Sequence, residues 1–108
     1  MSINDIAKIG CRTERVAATA TAATKAIPPN SRNVLVHNAG TSPVFVQTGA
    51  ATGVTHVYPT TGTGQSGSIV LGGQSQVYKK NNPTDSTFYA ICDTGLSADI
   101  LISLVDGE

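Results

Sequence analysis

Charged residues are scarce in this chain of 108 residues, since Lys, Arg, Asp and Glu make up only 13% of it. Soluble proteins usually carry about 25%. The seven basic and seven acidic side chains cancel, and no basic run is longer than Lys79-Lys80. The chain therefore lacks the positive surface that binds phosphate backbones, and we expect it to make no direct contact with nucleic acid.

Neutral side chains supply the polarity, mainly Thr, Ser, Asn, Gln and Gly. Such groups cost less to desolvate against a partner than Lys or Glu, so the composition fits a protein that works inside an assembly. An alternative explanation is that Thr is abundant because it suits half-buried strands. Composition alone leaves both explanations open.

Long apolar runs and a cysteine framework are also missing. No apolar run approaches the roughly 20 residues of a membrane span. Residues 1–12 lack the basic segment, apolar segment and cleavage site of a secretory signal, so we expect a protein made in the host cytoplasm with no membrane contact. Cys11 and Cys92 lie far apart in the sequence, and this spacing does not argue for a disulfide. Cys92 lies in an apolar run, where we expect a free thiol in the core.

No catalytic motif is visible. His37, His56, Asp85, Asp93 and Asp99 occur together with many serines, but no nucleophile-elbow motif places a base beside a nucleophile. A zinc site needs three or four ligands at suitable spacing. We expect no enzymatic activity, no cofactor and no metal. His37 should be a strand side chain near the edge of the sandwich, and His56 should be a surface residue of a short strand.

The glycine-rich stretch 62–67 resembles a phosphate-binding loop only superficially. The Lys that would reach a phosphate is missing, and no helix follows to present its N-terminus. We interpret this stretch as a loop that can also serve as a contact surface.

Turn-forming residues separate β-rich runs along the chain, which predicts one all-β domain. In 27–49, a double proline precedes two such runs, and the turn residues 38–43 between the runs predict a hairpin. About eight strands are predicted, at 15–25, 32–37, 44–47, 54–58, 68–71, 74–79, 86–92 and 97–105. Eight strands without a long helix predict a single two-sheet antiparallel sandwich of jelly-roll or Greek-key type, with a small closed barrel as the alternative.

Residues 1–14 are predicted to form a short N-terminal arm ahead of a sandwich domain over 15–108. Ile3, Ile6 and Ile9 recur every three residues, which would give a short helix an apolar stripe. A helix of that length is unstable alone. The stripe either covers one end of the protein's own core or docks on a neighbouring subunit.

The final predicted strand, 97–105, is apolar on both faces toward its end. Leu101 and Val105 lie opposite the fully apolar face and are candidate subunit contacts, although a loop of the same chain would cover them equally well. The apolar face itself is expected in the core and consists of Ala98, Ile100, Ile102 and Leu104.

Six segments carry a recognisable pattern: 15–20, the proline-containing run 27–38, 43–49, 70–76, 87–92 and the closing Val105-Asp106-Gly107-Glu108. Together they resemble small structural proteins of tailed bacteriophages. Proteins of this kind are β-sandwiches encoded among virion genes, and some are capsid decoration or cement proteins.

The resemblance implies a virion location on the capsid surface, the major capsid protein as partner and no small-molecule substrate. Related modules also occur in tail, neck and fibre-associated components, and a carbohydrate-binding module is a further alternative. Because one small domain offers little contact area, we expect a closed homo-oligomer, either a dimer or a trimer. The resemblance transfers no functional role to any individual residue.

Overall fold

The computed structural model describes residues 13–27, 33–60, 64, 67–80, 82 and 84–104. These residues form eight β-strands in two four-stranded antiparallel sheets, as the sequence predicted, and the sheets pack as a sandwich. The strands are β1 (Thr13–Ala18), β2 (Ala23–Ala26), β3 (Asn33–Asn38), β4 (Val44–Gly49), β5 (Ser68–Val70), β6 (Ser75–Lys79), β7 (Thr87–Ile91) and β8 (Ala98–Leu104).

The strands pair in a nested order. The first sheet has the order β1-β8-β3-β6 and the second sheet has the order β2-β7-β4-β5. Strand β1 pairs with β8, β2 with β7, β3 with β6, and β4 with β5, as in a long antiparallel ribbon wound into two sheets. Strands β1 and β2 therefore form the sheet edges on one side of the sandwich, and β6 and β5 form those on the other.

The core lies between the sheets and follows the period of two that strands impose on side chains. In β8, Ile100 and Ile102 are almost fully buried, whereas Asp99, which precedes Ile100, is exposed. Each aliphatic side chain buried in this way contributes roughly 1.5–3 kcal/mol. Cys92 is a free thiol in the same core, as predicted, and burial raises its pKa.

The prediction of a single strand over 15–25 is wrong, because this stretch forms β1 and β2 in opposite sheets. The chain turns between them at Thr19, whose hydroxyl accepts a hydrogen bond from the Thr21 N–H at 3.2 Å. The Cys92 N–H donates to the Thr19 carbonyl at 2.8 Å. A threonine hydroxyl can therefore make a turn without Gly or Pro, and the sequence shows no other signal for it.

The predicted hairpin in 27–49 is also wrong, because β3 and β4 belong to opposite sheets. The turn between them is real and is fixed by Asn38, which is fully buried. Its side-chain amide donates to the Ser42 and Val70 carbonyls at 2.7 and 3.0 Å, and its Oδ1 accepts from the Gly40 N–H at 2.9 Å. The turn residues of this segment thus redirect the chain between sheets and do not close a hairpin.

Strand β1 includes Thr13 and Glu14, which the sequence analysis assigned to the N-terminal arm. The remainder of the predicted arm lies outside the described residues. The same holds for four candidate contact residues, Ile3, Ile6, Ile9 and Val105.

Candidate interaction surfaces

The middle of the second sheet's outer face, formed by β4 and β7, is covered by the protein's own chain, whereas Ile69 on the edge strand β5 is 39% exposed. Phe45 alternates with the core residues Val44 and Val46, so it points away from the other sheet, yet it is only 2% exposed. Tyr89 and Ile91 on the neighbouring β7 are likewise buried. The residues that cover this face are 50–60, which we call the covering segment.

The prediction of a strand over 54–58 is wrong, because this part of the covering segment is irregular. Its apolar residues produced a strand-like pattern in the sequence, because they are needed to pack against the outer face of the sheet. Tyr58 meets Phe45 edge to face, with the ring centroids 6.3 Å apart. The Tyr89 hydroxyl donates a hydrogen bond to the Ala50 carbonyl and attaches the start of the segment to β7.

His56 lies at the centre of the covering segment and is only 5% exposed, so the prediction that it lies on the surface is wrong. Its ring stacks on Phe45 at a centroid distance of 5.0 Å and an interplanar angle of 9°. Its Nε2–H donates to the Phe45 carbonyl at 2.9 Å, which places the neutral ring's proton on Nε2. Nδ1 is buried and has no hydrogen-bond partner among the described residues.

Burial lowers the pKa of His56 because the protonated imidazole would lose its hydration. The hydrogen bond to the Phe45 carbonyl acts in the opposite direction and is the smaller effect. The site therefore favours the neutral ring, and His56 serves to hold the covering segment against β4.

Among the residues that the structure describes, no segment covers the outer face of the first sheet in this way. We call it the open face, because each side chain that the described strands direct there is exposed or half-buried. The register of β1, β8, β3 and β6 places these side chains in rows. They are Thr13, Arg15, Ala17, Asn33, Leu35, His37, Ser75, Val77, Lys79, Asp99, Leu101 and Ser103.

Several polar groups on the open face satisfy one another across strands. The Thr13 and Ser103 hydroxyls are 2.8 Å apart, and His37 Nδ1 lies 2.6 Å from the Ser75 hydroxyl. Pairing of this kind lowers the cost of removing water from the face when a partner covers it.

Charges on the open face are few and of both signs. Arg15 and Asp99 form an ion pair with atoms 3.7 Å apart. Both side chains are largely exposed, and exposed pairs contribute little to stability. The face is therefore close to neutral.

Three apolar side chains lie among these polar groups. Leu35 is half-buried and lies directly opposite Val77 of β6, which is 42% exposed. Leu101 is half-buried and lies opposite His37. The structure thus places the candidate contact Leu101 outward, and sequence reasoning missed its companions Leu35 and Val77. Their strands alternate, but only the β3–β6 pairing reveals that the two residues are neighbours.

A cavity of about 220 Å³ lies between the sheets at the side where β5 and β6 form the edges. Val46 and Phe88 of the core contribute apolar surface, and Tyr78 forms part of the opposite wall. Burial raises the pKa of the Tyr78 hydroxyl. The remaining lining residues are Gln47, Thr48, Gly67, Ser68 and Lys79. Sites for drug-sized ligands usually enclose about 300–1,000 Å³, so this cavity suits a single side chain better.

The residue types that could serve a hydrolase are dispersed. His37 lies on the open face, whereas His56 lies over the second sheet. Asp85 is buried and accepts hydrogen bonds from the Thr48 hydroxyl and the Asn82 N–H at 2.8 and 2.9 Å. Within the described ranges, no group of three or more His, Cys, Asp or Glu residues could hold a metal ion. A helix able to cross a membrane is likewise absent from that part of the chain.

Comparisons with known proteins do not assign the chain to a family. No protein-family model matches it, and a search of curated proteins finds no match. A search of solved structures finds similarity to a chain described under the words "Bacillus endospore appendages form a novel family of disulfide-linked pili". The two chains share 16% sequence identity with a TM-score of 0.46, and the alignment covers 86% of each. Similarity at this level carries no functional argument.

Proposed function

We propose that this chain is a non-enzymatic structural protein that acts by covering part of a larger assembly. The observation that carries the proposal is the contrast between the two outer faces. The covering segment buries Phe45 on one of them, whereas the open face leaves Leu35, Leu101 and Val77 accessible to a partner. A sheet face of this composition is suited to contact and offers no place for catalysis.

The size of the open face favours many weak contacts over one strong contact. Four strands about 4.8 Å apart, each contributing about 17–20 Å of length, present on the order of 300–400 Å². A stable complex of two proteins usually buries about 800 Å² on each partner. A face below that size becomes effective when many copies bind a repeating lattice, because linked contacts reinforce one another.

A capsid is such a lattice, and the resemblance of the sequence to small virion proteins points in the same direction. The specific proposal is a decoration or cement protein on the head of a tailed bacteriophage. It would bridge major capsid protein subunits and stabilise the assembled shell, because binding only the assembled state shifts the equilibrium toward it. The nested strand pairing fits a jelly-roll connectivity, and we expect a dimer or trimer on the capsid surface.

The aromatic residues favour this proposal over a carbohydrate-binding module. Such modules stack sugars on exposed aromatic rings, but Phe45, Phe88 and Tyr89 are buried and Tyr58 and Tyr78 are half-buried. A tail, neck or fibre component remains the alternative within the virion, and it differs from decoration in copy number.

The experiment titrates purified protein onto capsids of the encoding phage that were assembled without it, and measures binding by cosedimentation. We expect Leu101→Asp to weaken binding at least about tenfold, since burying a charge against a partner costs more than about 1.4 kcal/mol. The control is Val57→Asp, which introduces the same charge at an exposed apolar residue of the covering segment. Equal binding by the two variants, or no binding by the wild type, would contradict the proposal.

A further inference from the structure

Strand β6 forms one edge of the first sheet, and one side of its backbone has no strand partner among the described residues. Its other side pairs with β3 over the whole length of the strand. All of its residues are exposed except Tyr78, which is half-buried. An exposed edge strand of this kind is a template for the addition of a further strand.

The hydrogen bonds to β3 identify the backbone groups of β6 that point outward. The Asn38 N–H donates to the Gln74 carbonyl at 2.9 Å, and in an antiparallel pair every second residue repeats this bonding. Gln76 and Tyr78 therefore bond to β3. The alternate residues direct their N–H and C=O groups away from β3, where no other described strand lies. These residues are Ser75, Val77 and Lys79.

The outward-facing residues are evenly spaced about Val77, which makes the edge complementary to itself. If a second copy of β6 runs antiparallel to the first about a two-fold axis at Val77, the two Val77 residues lie opposite each other. Ser75 of each copy then lies opposite Lys79 of the other. Each opposed pair exchanges two hydrogen bonds, which gives about six in all. Any other register leaves an outward-facing residue of each copy without a partner in β6.

The side chains that meet across this pair are compatible. The two-fold axis is at right angles to the sheet, so the open faces of both copies lie on the same side. Val77 is 42% exposed and lies opposite Leu35 of its own copy, and pairing brings the two Val77 side chains together between the two Leu35 side chains. Lys79 lies opposite the neutral Ser75, so that like charges, which destabilise an opposed pair, do not meet.

The other sheet edges are less suited to pairing with a second copy. Strands β5 and β2 have only three and four residues. The Ala39 N–H bonds to the Asp99 carbonyl of β8, so the alternate residues of β8 bond to β1. In the register of β1 with β8, the middle outward-facing residue of β1 is then Arg15. A two-fold pairing of β1 would place two arginines side by side, and their charges repel.

We propose that two copies of the chain associate through β6, antiparallel and centred on Val77, so that their first sheets join into one continuous sheet. The outer edges of the joined sheet are the two β1 strands, where Arg15 opposes further pairing. The product is therefore a closed dimer with two-fold symmetry.

The pairing forms in the purified protein alone and does not depend on the proposed function. Its consequence for that function is the size of the contact surface. The two open faces lie side by side and together present on the order of 600–800 Å², which approaches the roughly 800 Å² that each partner buries in a stable complex. Only this consequence rests on the proposed function.

The first test measures self-association of the full chain by analytical ultracentrifugation. We expect Val77→Asp to weaken association at least about tenfold, or about 1.4 kcal/mol, because two carboxylates would lie opposite each other. The matched control is Val57→Asp, because Val57 is also 42% exposed but lies in the covering segment. It should leave association unchanged. Circular dichroism establishes that both variants are folded.

A proline variant tests the backbone hydrogen bonds without adding a charge. Val77→Pro removes an N–H that points away from β3, and proline is tolerated at such positions of edge strands. The variant should remain folded and lose association at least about tenfold. A folded proline variant that associates as the wild type does would contradict the pairing.

A charge exchange tests the register. Ser75→Lys should weaken association, because it places a second cation opposite Lys79 of the other copy. Adding Lys79→Glu to that variant should restore association. The two positions lie about 13 Å apart within one strand, so the rescue requires a contact between copies.

Amide hydrogen exchange reports on the pairing directly, and the Val77 N–H of the wild type should exchange more slowly as the protein concentration rises. A wild type that stays monomeric up to about 1 mM, a Val77 exchange rate that does not depend on concentration, or failure of the double charge variant to associate would overturn the proposal. The two proposals fail separately, since a monomeric protein that still binds capsids would contradict only the pairing.

Discussion

At the scale of single residues, His56 shows how the covering segment is held in place. Its ring lies flat on Phe45, its Nε2–H is bonded to the Phe45 carbonyl, and its buried Nδ1 has no hydrogen-bond partner in the described part of the chain. Protonation would place a charge and an additional donor in this apolar site, and such a donor costs free energy unless it is paired.

The stability of the protein should therefore depend on pH through His56. Burial lowers its pKa below the 6.5 of an unperturbed imidazole, so the unfolded chain binds more protons than the folded chain below that pH. The contribution of the neutral ring is fully present above about pH 6.5 and is lost as the pH falls toward the pKa of the folded state. We expect the urea midpoint of unfolding to drop between pH 7.5 and pH 5.

His56→Gln is the matched variant, since its amide can donate to the same carbonyl but does not titrate. Its urea midpoint should change less over that pH range than the midpoint of the wild type. Identical pH dependence of the two proteins would show that the imidazole plays no part in the acid sensitivity.

Two neighbouring residues of β8 test the assignment of the two sheet faces. Ile102 is 1% exposed in the core, and Leu101 is half-buried on the open face. Ile102→Asp should abolish folding, because an unpaired buried carboxylate costs several kcal/mol out of a total stability of about 5–15 kcal/mol. Leu101→Asp should change the free energy of unfolding by no more than about 1 kcal/mol. Circular dichroism and urea unfolding measure both, and an equal loss of structure would show that Leu101 is part of the core.

At the scale of elements, the short strand β5 depends on Gly67 at its start. The φ angle of Gly67 is 147°, and a Cβ built there would lie 2.5 Å from the Val46 carbonyl oxygen. Gly67→Ala should therefore push β5 away from β4 and lower the free energy of unfolding by about 1–3 kcal/mol.

Gly64→Ala provides the control in the same loop, because a Cβ at that position would meet nothing within 4 Å. It should change the stability by less than about 0.5 kcal/mol. If thermal unfolding gave the same midpoint for both variants, the close approach of β5 to β4 would not matter for stability.

Local alternation explains which elements the sequence predicted well. Strand β8 was predicted with its correct inward face, because Ile100 and Ile102 follow a period of two that needs no knowledge of the partner strand. The turn at Thr19 escaped prediction since it depends on a hydroxyl and on the N–H of Cys92, more than 70 residues further along the chain. The alternation is a local feature that the sequence displays, whereas the turn also depends on a tertiary contact that the sequence does not display.

At the scale of the whole molecule, the class of fold followed from the sequence but the candidate surfaces did so only in part. The position of Leu101 was predicted from its own strand. Its companions Leu35 and Val77 required the pairing of β3 with β6, and the burial of His56 required a ring on β4. Surfaces that combine several strands depend on strand order, which the pattern of turns leaves undetermined.

The near-neutral open face also predicts how binding responds to salt. Arg15 and Asp99 pair with each other on that face, so few unpaired charges remain for a partner to attract. Raising the ionic strength from about 0.05 to 0.5 M screens exposed charges strongly, yet it should change capsid affinity less than about threefold. Cosedimentation at both ionic strengths measures this, and a loss of more than about tenfold would indicate an electrostatic contact at another surface.

The central claim is that the protein acts by covering a repeating surface, and its copy number per particle tests this most directly. Quantitative mass spectrometry of purified virions, calibrated against the major capsid protein, provides the count. We predict several hundred copies, whereas a ring of about six or twelve would indicate a tail or neck component. Absence of the protein from the particles would contradict the account.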